Sequence, residues 1–132
     1  MSALYLDSSA LVKLVEKEAE STALRRYLRA HRARRVTSAL ARVEVVRAVL
    51  GGGADAVAKA RRQLSRVHTV TLDGRILDRA ATLAAPVPLR GLDAIHLATA
   101  QALGRELQVV LTYDTRMAGA ANALGFPTAA PV

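Results

Sequence analysis

Strands and helices alternate along this chain, and the alternation predicts an α/β fold: a mainly parallel sheet covered by helices on both faces. Three observations carry that prediction. Short apolar runs bounded by cap or turn residues recur, as at Ala3-Leu4-Tyr5-Leu6 and Val109-Val110-Leu111-Thr112-Tyr113. Between them lie segments with apolar residues at helical spacing, such as Leu24, Tyr27 and Leu28. The length of 132 residues fits one domain, residues 1–132, and a hydrophobic content of 52% rules out a disordered chain.

The elements follow in order. Ala3 to Asp7 reads as a short buried strand. Ser8 or Ser9 can cap the helix running through Leu11-Val12-Lys13-Leu14-Val15. Glu20 to Ala30 is a second helix, and Arg35 to Ser38 a second strand. Ser38 can cap a helix from Ala39 to Leu50, which Gly51-Gly52-Gly53 stops. Ala54 to Arg66 is helical, and Val67 to Leu72 alternates as a strand does. Asp73 to Leu83 is a helix, Pro86 and Pro88 mark a loop, and Leu92 to Leu103 is a helix. Gln108 to Tyr113 is the clearest buried strand. Thr115 to Leu124 is helical, and Pro127 to Val132 is a weak edge strand.

Four acids sit in apolar contexts. Asp7 and Asp114 each end a strand, Glu44 lies within Val43-Glu44-Val45-Val46, and Asp93 opens Asp93-Ala94-Ile95-His96-Leu97. Carboxylates are seldom buried unless paired, hydrogen-bonded or bound to metal. Parallel sheets place their sites outside the carboxyl ends of the strands, so Asp7 and Asp114 share a rim. Asp93 joins them if its helix starts there. Glu44, read as about two turns into its helix, must reach in from the side. Each acid also has a plainer reading: Asp7, Asp93 and Asp114 as helix caps, Glu44 as part of a solvated face beside Arg42 or Arg47. Together they form a set of hard oxygen donors. Such a set suits Mg²⁺ or Mn²⁺, ions that orient a phosphate and acidify a water. No nucleophile elbow surrounds Ser8 and Ser9.

The charge balance fits this. There are 19 bases against 11 acids, a net charge of +8. A basic surface around an acidic hole favours a polyanion. The densest cluster is Arg25, Arg26, Arg29, Arg32, Arg34 and Arg35, and Arg61, Arg62 and Arg66 form another. Either contacts phosphates or a partner, or is simply solvated. The aromatic residues, Tyr5, Tyr27, Tyr113 and Phe126, are too few for a base-stacking platform. With no cysteine there is neither a disulfide nor a thiolate site. No signal peptide or membrane-length apolar stretch is visible, so a cytoplasmic protein without a membrane partner is expected. His96, one turn after Asp93, reads as a packed helix residue hydrogen-bonded nearby rather than as a metal ligand.

Four segments in order resemble the PIN-domain proteins, specifically the toxin nucleases of VapBC-type toxin–antitoxin pairs. They are Asp7-Ser8-Ser9-Ala10-Leu11-Val12-Lys13-Leu14, Ser38-Ala39-Leu40-Ala41-Arg42-Val43-Glu44, Leu89 to Ala100 around Asp93, and Leu111-Thr112-Tyr113-Asp114-Thr115-Arg116-Met117. The trailing Ala120-Ala121-Asn122-Ala123-Leu124-Gly125 is similar too. The resemblance implies a three-layer α/β/α sandwich and a Mg²⁺- or Mn²⁺-dependent endoribonuclease. It implies that Asp7, Glu44, Asp93 and Asp114 form the catalytic and metal-binding quartet. Ser9 and Thr112 are then supporting hydroxyls. It further implies a homodimer and a cognate antitoxin protein that covers the site with a basic side chain.

Three other readings fit less well. A phospho-acceptor receiver domain expects adjacent acids after the first strand and a late lysine, yet serines follow Asp7 and the last lysine is Lys59. A carboxylate-bridged di-metal bundle needs two acid–histidine pairs, and only Asp93-x-x-His96 is present. A non-catalytic basic RNA-binding module leaves the four acids unexplained, because they repel phosphate.

Overall fold

The computed structural model describes residues 1–86 and 88–132. Five strands form one sheet in the order β3-β2-β1-β4-β5, with every neighbouring pair parallel. The strands are β1 (Ala3–Leu6), β2 (Arg34–Ser38), β3 (His68–Val70), β4 (Leu107–Leu111) and β5 (Thr128–Ala129). The helices are α1 (Ser8–Val15), α2 (Ser21–Ala30), α3 (Ala41–Val49), α4 (Gly53–Leu64), α5 (Gly74–Thr82), α6 (Gly91–Ala102) and α7 (Thr115–Ala123).

The central strand explains the layers. All four residues of β1 are fully buried, as a strand covered on both faces requires. Successive side chains point to opposite faces. Leu4 and Leu6 pack with Leu11, Leu14, Leu24, Val45 and Leu64 of α1 to α4. Ala3 and Tyr5 face the other way, toward Val36, Val110 and Ala100 of α6. The result is the predicted α/β/α sandwich. Each fully buried Leu or Val contributes roughly 1.5–3 kcal/mol of transfer free energy.

Several boundaries differ from expectation, and the differences bear on the site. Asp7, not Ser8 or Ser9, caps α1: its side chain accepts from the Ala10 N–H. Both serines are released for other bonds. Ser38 Oγ accepts from the Leu40 N–H, but Ala39 and Leu40 form a turn, and α3 starts at Ala41. Glu44 therefore lies in the first turn of its helix rather than two turns in. Asp93 is not a cap, because α6 begins at Gly91 and Arg90 is its N-cap residue. The three glycines do not simply stop α3. Leu50–Gly52 tightens into a 3-10 turn and Gly53 begins α4 at φ +84°, a conformation open to glycine at little cost. The expected edge strand shrinks to Thr128–Ala129. The loop marked by Pro86 and Pro88 includes residue 87, which lies outside the described residues.

Candidate active site

The four acids stand at the carboxyl ends of the strands. Asp7 follows β1, the Asp7 N–H bonds the Leu111 carbonyl of β4, and Asp114 lies three residues past that strand's end. Glu44 and Asp93 are in the first turns of α3 and α6.

Asp7 is 3% exposed and is held by three donors. Oδ1 accepts from Ser9 Oγ at 2.6 Å and from the Ala10 N–H at 3.0 Å, and Oδ2 accepts from Thr112 Oγ1 at 2.5 Å. Ser9 Oγ also accepts the Tyr113 N–H, and Thr112 Oγ1 the Asp114 N–H. The two hydroxyls thus tie Asp7 to the segment after β4. Burial still pushes the Asp7 carboxyl above the usual range, against the pull of Ser9 and Thr112.

Glu44 is half-buried. Its Oε1 accepts from Ser8 Oγ at 2.6 Å and pairs with His96 Nε2 at 2.6 Å. Burial raises the Glu44 carboxyl, but the bonds from His96 and Ser8 outweigh it and leave the group below its ordinary value. On the other ring nitrogen, His96 Nδ1 meets Tyr5 Oη at 2.6 Å. Thr37 and Thr99 already donate to the Leu6 and Ile95 carbonyls. His96 is 3% exposed and is clamped between the Tyr5 hydroxyl and a carboxylate.

His96 bonds Glu44 directly, and a positive charge on it would favour the ionised forms of both Asp7 and Asp93. Asp93 is pushed up by burial and then by the charge of Asp114. Asp114 itself is exposed and caps α7, with Oδ1 accepting from the Arg116 and Met117 N–H groups. All four acids thus lie on the carboxyl-end rim, with Asp93 beside Asp114 and Glu44 bonded to His96. Among the described residues, no three Asp, Glu or His side chains are gathered closely enough to hold an ion as they stand. The bonds explain this: Asp7 is turned onto two hydroxyls, Glu44 onto Ser8 and His96, and Asp93 and Asp114 repel each other. The donors still suit a hard divalent cation. They are all carboxylate oxygens, and a cation would relieve the repulsion between Asp93 and Asp114.

Sequence reasoning read His96 as packed and hydrogen-bonded, and the structure agrees. It missed that the partner is Glu44 and that Ser8 is the second donor. Ser8 was hidden by its reading as a cap. The signal available was the competition among three adjacent polar residues for one cap position.

The acids titrate in opposite directions. For Asp7 and Asp93 the folded pKa is raised, so the stability tied to their protonated form is present below the ordinary carboxylate value and is lost as pH rises through the folded value. Glu44 has the opposite sign: its stability is present above the ordinary value and is lost as pH falls through the lowered one. In chelator, the stability of Asp7→Asn relative to wild type is expected to grow from about pH 4 to pH 7. Denaturant titrations across that range measure the gap. A gap that shrinks with rising pH would contradict the burial of an uncompensated charge.

Comparison with known proteins identifies the family. The PIN domain matches residues 4–123, so the chain belongs to the PIN-domain family. Within that family it is of the VapC type. Ribonuclease VapC46 of Mycobacterium tuberculosis (strain ATCC 25618 / H37Rv) is 55% identical over 131 residues, covering 99% of each chain. Ribonuclease VapC47 of Mycobacterium tuberculosis (strain CDC 1551 / Oshkosh) is 39% identical over 132 residues, covering 97% of this chain and 96% of the relative. Among solved structures, Mycobacterium tuberculosis VapC20, a sarcin–ricin loop cleaving toxin, is similar with a TM-score of 0.76. It is 19% identical and covers 97% of this chain and 99% of its own. A chain of a toxin–antitoxin complex from Klebsiella pneumoniae has a TM-score of 0.74 at 24% identity, covering 99% and 98%. At these identities the structural likeness speaks for the fold.

Proposed function

We propose that the protein is a metal-dependent endoribonuclease, the toxin of a toxin–antitoxin pair, and that Asp7, Glu44, Asp93 and Asp114 are its site. The observation that carries this reading is a buried, hydrogen-bonded Asp7 just past the end of the central strand, on the same carboxyl-end rim as Glu44, Asp93 and Asp114. VapC-type relatives named as ribonucleases support the activity.

Asp7 and Asp93 would hold Mg²⁺ or Mn²⁺ directly, with Asp114 acting through a water or at a second ion. The bound ion supplies a polarised phosphate and a water of lowered pKa. Ser9 and Thr112 fix the Asp7 carboxylate, so it does not have to reorganise during reaction. Glu44 Oε1 is occupied by Ser8 and His96, which leaves Oε2 to accept a proton from the attacking water. With a metal-bound water as the attacking group no protein nucleophile is needed, and Ser8 and Ser9 instead hold the carboxylates of Glu44 and Asp7.

The partners follow from the same reading. The substrate is RNA, bound by a basic surface. A cognate antitoxin protein blocks the rim with a cationic side chain. A homodimer belongs to the same reading, with the exposed Leu50 just past α3 as an apolar contact it would cover. A cytoplasmic location suits an RNA target, and no helix among the described residues is long and apolar enough to cross a membrane.

Purified protein incubated with structured RNA is expected to cut it when Mg²⁺ or Mn²⁺ is present and to stop when EDTA is in excess. Restoring the ion restores cutting. Cleavage at full rate in excess EDTA would remove the metal from the account.

A further inference from the structure

Three concavities lie away from the acids. A groove of about 930 Å³ runs beside β3, from Ala39 and Arg42 at the acidic rim to Ser65 and Val67 at the opposite end. Two adjoining hollows of about 470 and 140 Å³ lie at that opposite end and share Leu28, Arg29 and Arg35. Arg32 and His31 complete one of them, and Arg25, Gln63 and Arg66 the other.

Topology fixes the placement. The end of α1, the end of α2, the start of β2 and the end of α4 all lie where parallel strands begin. The acids lie where the strands finish. Strands of four or five residues put roughly 15 Å between the two poles. The two arginine clusters seen in the sequence therefore meet each other, not the acids. Arg66 comes from one and Arg25, Arg29 and Arg35 from the other.

Among the described residues these arginines have no ion-pair partner. The ion pairs among the described residues are Lys13 with Glu18 and Glu20, Arg34 and the N-terminus with Glu106, and His96 with Glu44. No acid lines the recess. Arg25 is oriented by a bond from Nη2 to the Leu14 carbonyl at 2.8 Å. Guanidinium groups on a concave wall match phosphate oxygens in paired bonds, which lysines do not. Leu14, Leu28, Ala33 and Gln63 are uncharged parts of the lining, and five arginines supply its charge, so a ligand here is held chiefly by its anionic groups.

We propose that this recess is a second RNA-binding site, taking backbone phosphates at the pole opposite the acids. The proposal rests on the ribonuclease reading. An RNA strand cut at the rim continues along the groove beside β3, past Arg42 and Arg61, and its distal phosphates reach the recess. The site then selects for RNA length and fold, not for the bases at the cut.

The test uses the full chain carrying Asp7→Asn, so that RNA is bound and not consumed. Fluorescence anisotropy is recorded across a salt series for a hairpin RNA of about 40 nucleotides and for an oligomer of about six. Arg29→Gln with Arg66→Gln removes two exposed cations of the recess, and Arg75→Gln with Arg105→Gln removes two elsewhere. Thermal melts confirm that each variant folds. In the recess variant, affinity for the hairpin is expected to fall about tenfold or more and its salt slope to flatten by about 1.5. The short RNA is expected to lose far less. The control pair is expected to leave both values near those of the parent. Unchanged hairpin binding, or equal losses for both RNAs, overturns the second site. Loss of binding to polyglutamate with hairpin binding intact overturns it in favour of an acidic protein partner. If the parent chain binds no RNA at all, the ribonuclease reading falls as well.

Discussion

Asp7→Asn is expected to lower RNA cleavage by on the order of a thousand-fold or more, the scale of losing a principal transition-state contact. It should do so without destabilising the fold. The amide keeps the Oδ1 atom that accepts from Ser9 and the Ala10 N–H, so the cap survives. Thr112 loses a charged acceptor, but its hydroxyl can rotate to accept from the new amide. Against that small loss stands the removal of a charge buried among apolar residues. Stability in chelator should be unchanged or higher by about 1 kcal/mol. With saturating Mg²⁺ the order reverses, because an ion at a hundred times its dissociation constant stabilises only the chain that binds it, by about 2.7 kcal/mol. Cleavage assays and denaturant titrations with and without Mg²⁺ test both halves. A clear loss of stability in chelator would make Asp7 a structural cap first and a ligand second.

Glu44→Gln is expected to cost about 10²–10⁴ in rate, as loss of a proton acceptor does. His96→Leu is expected to cost about 10–100-fold, because it removes one of the two donors that orient Glu44 without touching RNA. The two losses should not multiply. Once Glu44 has lost its charge, its orientation by His96 matters little, so the double variant should be about as slow as Glu44→Gln alone. The loss in His96→Leu should appear in kcat, with KM for RNA nearly unchanged, which general unfolding would not produce. Single-turnover rates for wild type, both singles and the double close the cycle. Multiplicative losses would give His96 a role independent of Glu44.

The layered fold was legible because apolar runs and helical spacing are local properties, and Ala3 to Leu6 and Val109 to Leu111 carry them plainly. The four acids stood out for the same reason, since an acid in an apolar run needs a cause. What stayed hidden was decided by competition or distance. Asp7, Ser8 and Ser9 each offer an oxygen for one cap, and sequence alone does not say that Asp7 wins and frees the serines for Glu44 and for Asp7 itself. Glu44 seemed two turns deep because nothing local shows that Ala39 and Leu40 form a turn before α3. The His96 bonds span 52 residues to Glu44 and 91 to Tyr5, beyond the reach of any spacing rule. The arginine clusters were visible as charge, but their meeting at the far pole required the crossovers of the sheet.

The central claim is that four acids from separate elements make one cation site. Mn²⁺ titration followed by electron paramagnetic resonance tests it most directly, run on wild type, Asp7→Asn, Glu44→Gln, Asp93→Asn and Asp114→Asn. The account predicts weaker binding in every variant, with the largest losses at Asp7 and Asp93. Wild-type affinity for Mn²⁺ in both Asp7→Asn and Asp93→Asn would contradict it.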